Sequence, residues 1–136
     1  LNTYQVTLKV LSIAIVGISL VHIILGVSSE TLLGSGISAA SLTDPNLDSQ
    51  NRFYGAAFAL FAVVFWFCST DLLRYEKLLK LSFCIFFLGG VSRLISILVV
   101  GLPSNEVVLL TAIEIIGPPG MYLWLYRITA QHTVDT

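Results

Sequence analysis

Five ionisable side chains stand inside or at the edge of long apolar runs: His22, Asp48, Arg52, Arg93 and Glu114. An Arg or Asp at the centre of a membrane span costs roughly 2.5 to 3.5 kcal/mol on insertion scales, so each such group needs a partner, water or a ligand. An arginine fork suits an anionic group. A glutamate in apolar surroundings suits a proton or ion site, or a clamp on a neighbouring cation. His22 and Glu114 are of the types that form acid/base pairs, yet neither sits in a recognisable catalytic motif. As metal ligands they are too few, since a zinc site uses three or four protein ligands. Cys68 and Cys84 form no C-x-x-C spacing and no disulfide framework. The residues therefore predict no catalytic group, no metal and no cofactor, but a buried polar or ligand-binding cluster of His22, Asp48, Arg52, Ser92, Arg93, Ser96 and Glu114.

The elements that position this cluster are membrane helices. Of 136 residues, 56% are hydrophobic and 11% charged, which excludes an ordinary soluble globule and a disordered chain. Seven Lys+Arg against eight Asp+Glu give a net charge of -1, so there is no basic excess for nucleic acid. Spanning a bilayer takes roughly 20 mostly apolar residues. Runs at about 8–27, 52–70, 79–100 and 105–127 qualify, and away from their ends they carry only Arg93 and Glu114 as charges. The first run is longer than a signal-peptide core, with no A-x-A site closely behind it, and is read as a helix. The expected fold is all-α, a single four-helix integral membrane bundle.

Lys9, Arg74, Lys77, Lys80 and Arg127 all fall on one side of the bundle, which predicts both termini in the cytoplasm. Trp66, Tyr75, Tyr122, Trp124 and Tyr126 lie near the same ends, suited either to the headgroup zone or to packing. The long first outer connection, Ser28 to Asn51, carries turn signals at Gly34-Ser35-Gly36 and Asp44-Pro45-Asn46. It reads equally as a segment lying on the membrane through Leu32, Leu33 and Ile37 or as a solvated loop. Gly101-Leu102-Pro103 predicts a tight turn, with Ser104 and Asn105 as candidate caps of the last helix.

Helical spacing places Ser12, Ser19, His22 and Gly26 on one face, and Arg52, Gly55, Ala59 and Ala62 on another. Ser82, Gly89, Ser92, Arg93 and Ser96 form a third stripe; Thr111, Glu114, Pro118 and Met121 form a fourth. Small and hydroxyl residues of this kind pack helices closely. At about 1.5 Å per residue, Arg93 lies roughly 10 Å below the outer end of its helix, Glu114 roughly 12 to 14 Å and His22 about 8 Å. That common depth predicts an Arg93–Glu114 pair and a polar outer half. Pro118 and Pro119 cannot donate to the carbonyls of Glu114 and Ile115, which predicts a kink or break at the charged residue. Two readings are open: an internal clamp that shapes packing, and an outer-half pocket.

The stretch Leu47-Asp48-Ser49-Gln50-Asn51-Arg52-Phe53-Tyr54-Gly55-Ala56, with Gly89-Gly90-Val91-Ser92-Arg93-Leu94-Ile95-Ser96, Gly101-Leu102-Pro103 and Glu114, resembles the bacterial four-helix membrane family called domain of unknown function 4345. The resemblance covers nearly the whole chain. It implies a small integral membrane protein with Asp48, Arg52, Arg93 and Glu114 at motif positions, and it implies no reaction or ligand. In architecture the chain also resembles DoxX-like membrane proteins, a likeness that carries no function. The expectation is a non-catalytic, multi-pass protein of the bacterial inner membrane, among membrane lipids, binding a partner protein, a second copy of itself or a lipid-like amphiphile in the outer cavity. The competing expectations are a small transporter using Glu114 as its ion or proton site and, further behind, a membrane enzyme.

Overall fold

The computed structural model describes residues 2–134, with side chains through residue 130. It is helical throughout, with no strand among the described residues. α1 runs Asn2–Leu25 and ends in a 3-10 turn, Gly26–Ser28, that leads into a short α2, Ser29–Leu32. A second short helix, α3, covers Ala39–Leu42. The remaining long helices are α4 (Pro45–Cys68), α5 (Glu76–Val100) and α6 (Asn105–Val134). α1, α4, α5 and α6 are long and apolar enough to cross a membrane, and their outward surface is aliphatic: Leu98 is 85% and Val100 83% exposed. Such a surface is stable only in hydrocarbon, where every backbone group must be satisfied within the helix. The chain is a membrane protein.

Several boundaries differ from those expected, for local reasons. α4 begins at Pro45 instead of about 52, because the Asp44 carboxylate accepts from the backbone N–H groups of Asn46 (2.8 Å) and Leu47 (3.3 Å). Proline is preformed for the first helical position, so Asp44-Pro45 is a helix start and not merely a turn. α1 begins at Asn2, with polar residues through Lys9 in its first turns. Ser104 stands at the head of α6, its carbonyl accepting from the Val108 N–H at 3.0 Å, while its hydroxyl donates to the carbonyl of Leu33 and ties the α5–α6 turn to the first connection. That connection is partly helical and anchored.

The helices pack chiefly as two antiparallel pairs, α1 with α4 and α5 with α6. Ser12 donates to the carbonyl of Ala62 at 2.7 Å across the first pair. Aromatic rings join the pairs: Phe61 and Phe86 centroids lie 5.1 Å apart, Phe65 and Phe83 5.3 Å, Phe58 and Phe86 5.5 Å. The buried core, which includes Tyr4, Leu8, Phe65, Leu79, Phe83 and Leu125, occupies the half that carries both chain ends. There the Tyr4 hydroxyl donates to the carbonyl of Met121 at 3.0 Å, and its ring meets Trp124 edge-on at 4.9 Å. Trp124 is thus a packing residue, whereas Tyr122 and Tyr126 each present a ring 5.6 Å from Lys80 Nζ. The far half of the bundle carries the polar contacts of His22, Asp48, Arg52, Arg93 and Glu114.

Candidate functional site

Those polar contacts fall into three sets. In the first, Arg93 Nε donates to Glu114 Oε2 at 2.8 Å, joining α5 to α6. Gly90 makes the approach possible: a Cβ there would lie 3.0 Å from the backbone carbon and Cβ of Glu114. A glycine one turn before Arg93 therefore sets how close the two charges come. The packing glycine is Gly90 and not Gly89, which faces open space. The Glu114 side chain is 13% exposed and that of Arg93 42%. The Arg93 Nη1 and Nη2 atoms and Glu114 Oε1 have no hydrogen-bond partner among the described residues.

Above the pair lies a cavity of about 250 Å³. Arg93, Ser96 and Thr111 supply its polar lining; Ile97, Val100 and the Gly101–Pro103 turn supply much of the rest. Ser92 does not belong to it, since its exposed hydroxyl donates to its own helix at the carbonyl of Leu88, 2.9 Å away. Pro118 is buried, and α6 passes through Pro118 and Pro119 as one continuous helix. The helix is thus not interrupted at Glu114, and the two prolines stand inside it where a kink was expected. Two missing N–H groups remove two bonds from a long ladder, and close packing against α5 at Gly90 supports the segment.

The second set closes the end of α1. Arg52 donates through Nε to Asp48 Oδ2 at 2.7 Å and through Nη1 to the carbonyls of Ile23 and Ile24 at 2.6 and 2.9 Å. Asp48 Oδ1 accepts from the backbone N–H of Val27 at 3.1 Å. The last carbonyls of a helix have no partner within it, and a guanidinium satisfies them while matching the helix dipole. Gly26 has φ +57°, and a side chain there would collide with Asp48. Asp48 and Arg52 thus form a clasp between α1 and α4.

The third set surrounds His22. Its Nδ1 lies 2.8 Å from Asn51 Oδ1 and 2.8 Å from Ser29 Oγ; Ser29 also donates to Asn51 Oδ1 at 3.1 Å. Asn51 Nδ2 donates to Glu30 Oε1 at 2.8 Å. Glu30 fixes which way the amide points, so the amide oxygen faces the imidazole and Nδ1 must carry the proton. Ser29, Glu30 and Asn51 were not among the residues expected from the sequence. The seven-residue spacing of His22 and Ser29 hinted at a shared face, but the 3-10 turn that brings Glu30 to Asn51 left no clear trace.

No hydrogen bond among the described residues joins Arg93 and Glu114 to either of the other sets. The expected cluster is thus divided: Arg93, Glu114 and Ser96 are together on the α5–α6 side, while His22, Asp48 and Arg52 are on the α1–α4 side. Cys68 is buried and Cys84 exposed, both as free thiols. No group of three or more His, Cys, Asp or Glu suited to a metal is found among the described residues.

A four-helix membrane bundle with polar pairs of this kind defines a class and no activity. Residues 3–125 match the family described as domain of unknown function (DUF4345), and the chain belongs to that family. No curated protein and no solved structure matches it.

Proposed function

We propose that this is a non-catalytic, multi-pass protein of a bacterial cytoplasmic membrane, with both termini cytoplasmic, that binds the headgroup of an anionic amphiphile between α5 and α6. The observation that carries the reading is the Arg93 guanidinium: one nitrogen holds Glu114, and its two Nη groups remain unpartnered beside a cavity with a polar floor and an apolar rim. A guanidinium fork matches the paired oxygens of a phosphate or carboxylate. The cavity, about 250 Å³, suits a headgroup more than a whole lipid. Leu94 and Leu98, both exposed on α5, offer a surface for acyl chains alongside. Transport through Glu114 is less well supported, because moving a proton or ion there strands the Arg93 charge.

The test compares short-chain phosphatidylglycerol with a nonionic glucoside amphiphile on the purified protein. A ligand at about 100 times its dissociation constant adds roughly 2.7 kcal/mol to stability. A saturable rise in melting temperature with the phospholipid alone is expected. Equal shifts with both amphiphiles, or none with either, contradict the reading.

A further inference from the structure

The geometry points to a second ligand site, for a primary ammonium group, between the first connection and the start of α4. A cavity of about 500 Å³ opens there, with Glu30, Ser38, Ser41, Gln50, Asn51 and Tyr54 among its lining. Glu30 is the one charged residue of that lining, and neither Lys, Arg nor His contributes to it. One carboxylate oxygen of Glu30 is held by Asn51 Nδ2 at 2.8 Å, and the other has no partner among the described residues. Asn51 is itself held by His22 and Ser29, so the carboxylate is oriented by a chain of hydrogen bonds before any ligand arrives. The nearby cation Arg52 cannot neutralise it, because its fork is engaged by Asp48 and the end of α1.

The chemistry selects among cations. A quaternary ammonium is recognised by a cage of aromatic rings, and this cavity has only Tyr54. A primary ammonium donates three hydrogen bonds, and here the free Glu30 oxygen and the Gln50 amide oxygen are acceptors of the required kind, with a further lone pair on the Ser38–Ser41 hydroxyl pair, whose oxygens lie 2.9 Å apart. The group is carried equally by a free amine and by a lipid headgroup, so the experiment has two arms.

Binding to the purified protein is measured by calorimetry for ethanolamine against choline, and for dihexanoyl phosphatidylethanolamine against its phosphatidylcholine counterpart. The phosphate common to each lipid pair cancels any contribution from Arg93. The site predicts that methylating the nitrogen weakens binding about tenfold or more in at least one arm, and the arm that responds identifies the source. Glu30→Gln keeps a carbonyl oxygen for Asn51 while removing the charge, and is expected to weaken the amine about 10- to 100-fold. Equal binding of methylated and unmethylated probes in both arms, absence of binding by both ethanolamine and the phosphatidylethanolamine, or an unchanged affinity of the responding probe in Glu30→Gln overturns the site. The methylation comparison uses the unaltered chain, so it stands even where the variant fails to fold.

Discussion

Arg93 and Glu114 meet at 2.8 Å across α5 and α6, one helical turn from the glycine that brings the two backbones together. Nothing local in either helix stabilises a charge at this depth, so each residue is tolerated because the other is present. The pair is asymmetric: Glu114 is largely enclosed, whereas Arg93 keeps part of its fork toward the cavity.

The pair predicts strong coupling. Glu114→Gln and Arg93→Leu each leave one partner uncompensated and are expected to cost about 1 to 3 kcal/mol, below the roughly 3 to 5 kcal/mol of a fully buried pair because Arg93 is partly exposed. The double variant is expected to lose less than the sum of the two. Denaturation of all four proteins in one detergent measures this, and simple additivity contradicts the pair.

Arg52 predicts a different phenotype. Arg52→Gln removes the groups that satisfy the Ile23 and Ile24 carbonyls and leaves Asp48 without its cation. The expected loss is about 1 to 2 kcal/mol, since the ion pair is exposed and the cap supplies most of the effect. Amphiphile binding at the Arg93 cavity is expected to be unchanged. A loss of binding in Arg52→Gln larger than in Arg93 variants contradicts the division of the polar residues into separate sets.

Charge bias predicts orientation. Lys9, Arg74, Lys77, Lys80 and Arg127 lie toward the end that carries the termini. A reporter active only in the cytoplasm, fused after residue 136, is expected to be active, and one fused within the Ser35–Ser38 stretch silent. The reverse pattern contradicts the assignment.

The sequence made some of this structure legible and hid the rest for physical reasons. Four charge-poor runs leave no alternative to spanning helices, and the insertion cost of Arg93 and Glu114 foretells their pairing. Ser12 with Ala62 and Gly55 against His22 follow from helical spacing in the same way. Arg52 shares no hydrogen bond with Arg93 and Glu114, because it reaches back along the end of α1, a contact made only after Gly26 turns the chain. Glu30 and Asn51 are ordinary loop and helix-start residues in sequence; their hydrogen bond exists only because α2 folds over α4.

The most direct test of anion binding beside Arg93 is the affinity of purified protein for short-chain phosphatidylglycerol, measured for the unaltered chain and for Arg93→Lys. Lysine keeps the positive charge opposite Glu114 but lacks the planar fork, so folding is preserved while paired oxygens lose their match. The expected result is saturable binding weakened about tenfold or more in Arg93→Lys. Identical affinities in the two proteins would show that the guanidinium beside the cavity takes no part in binding.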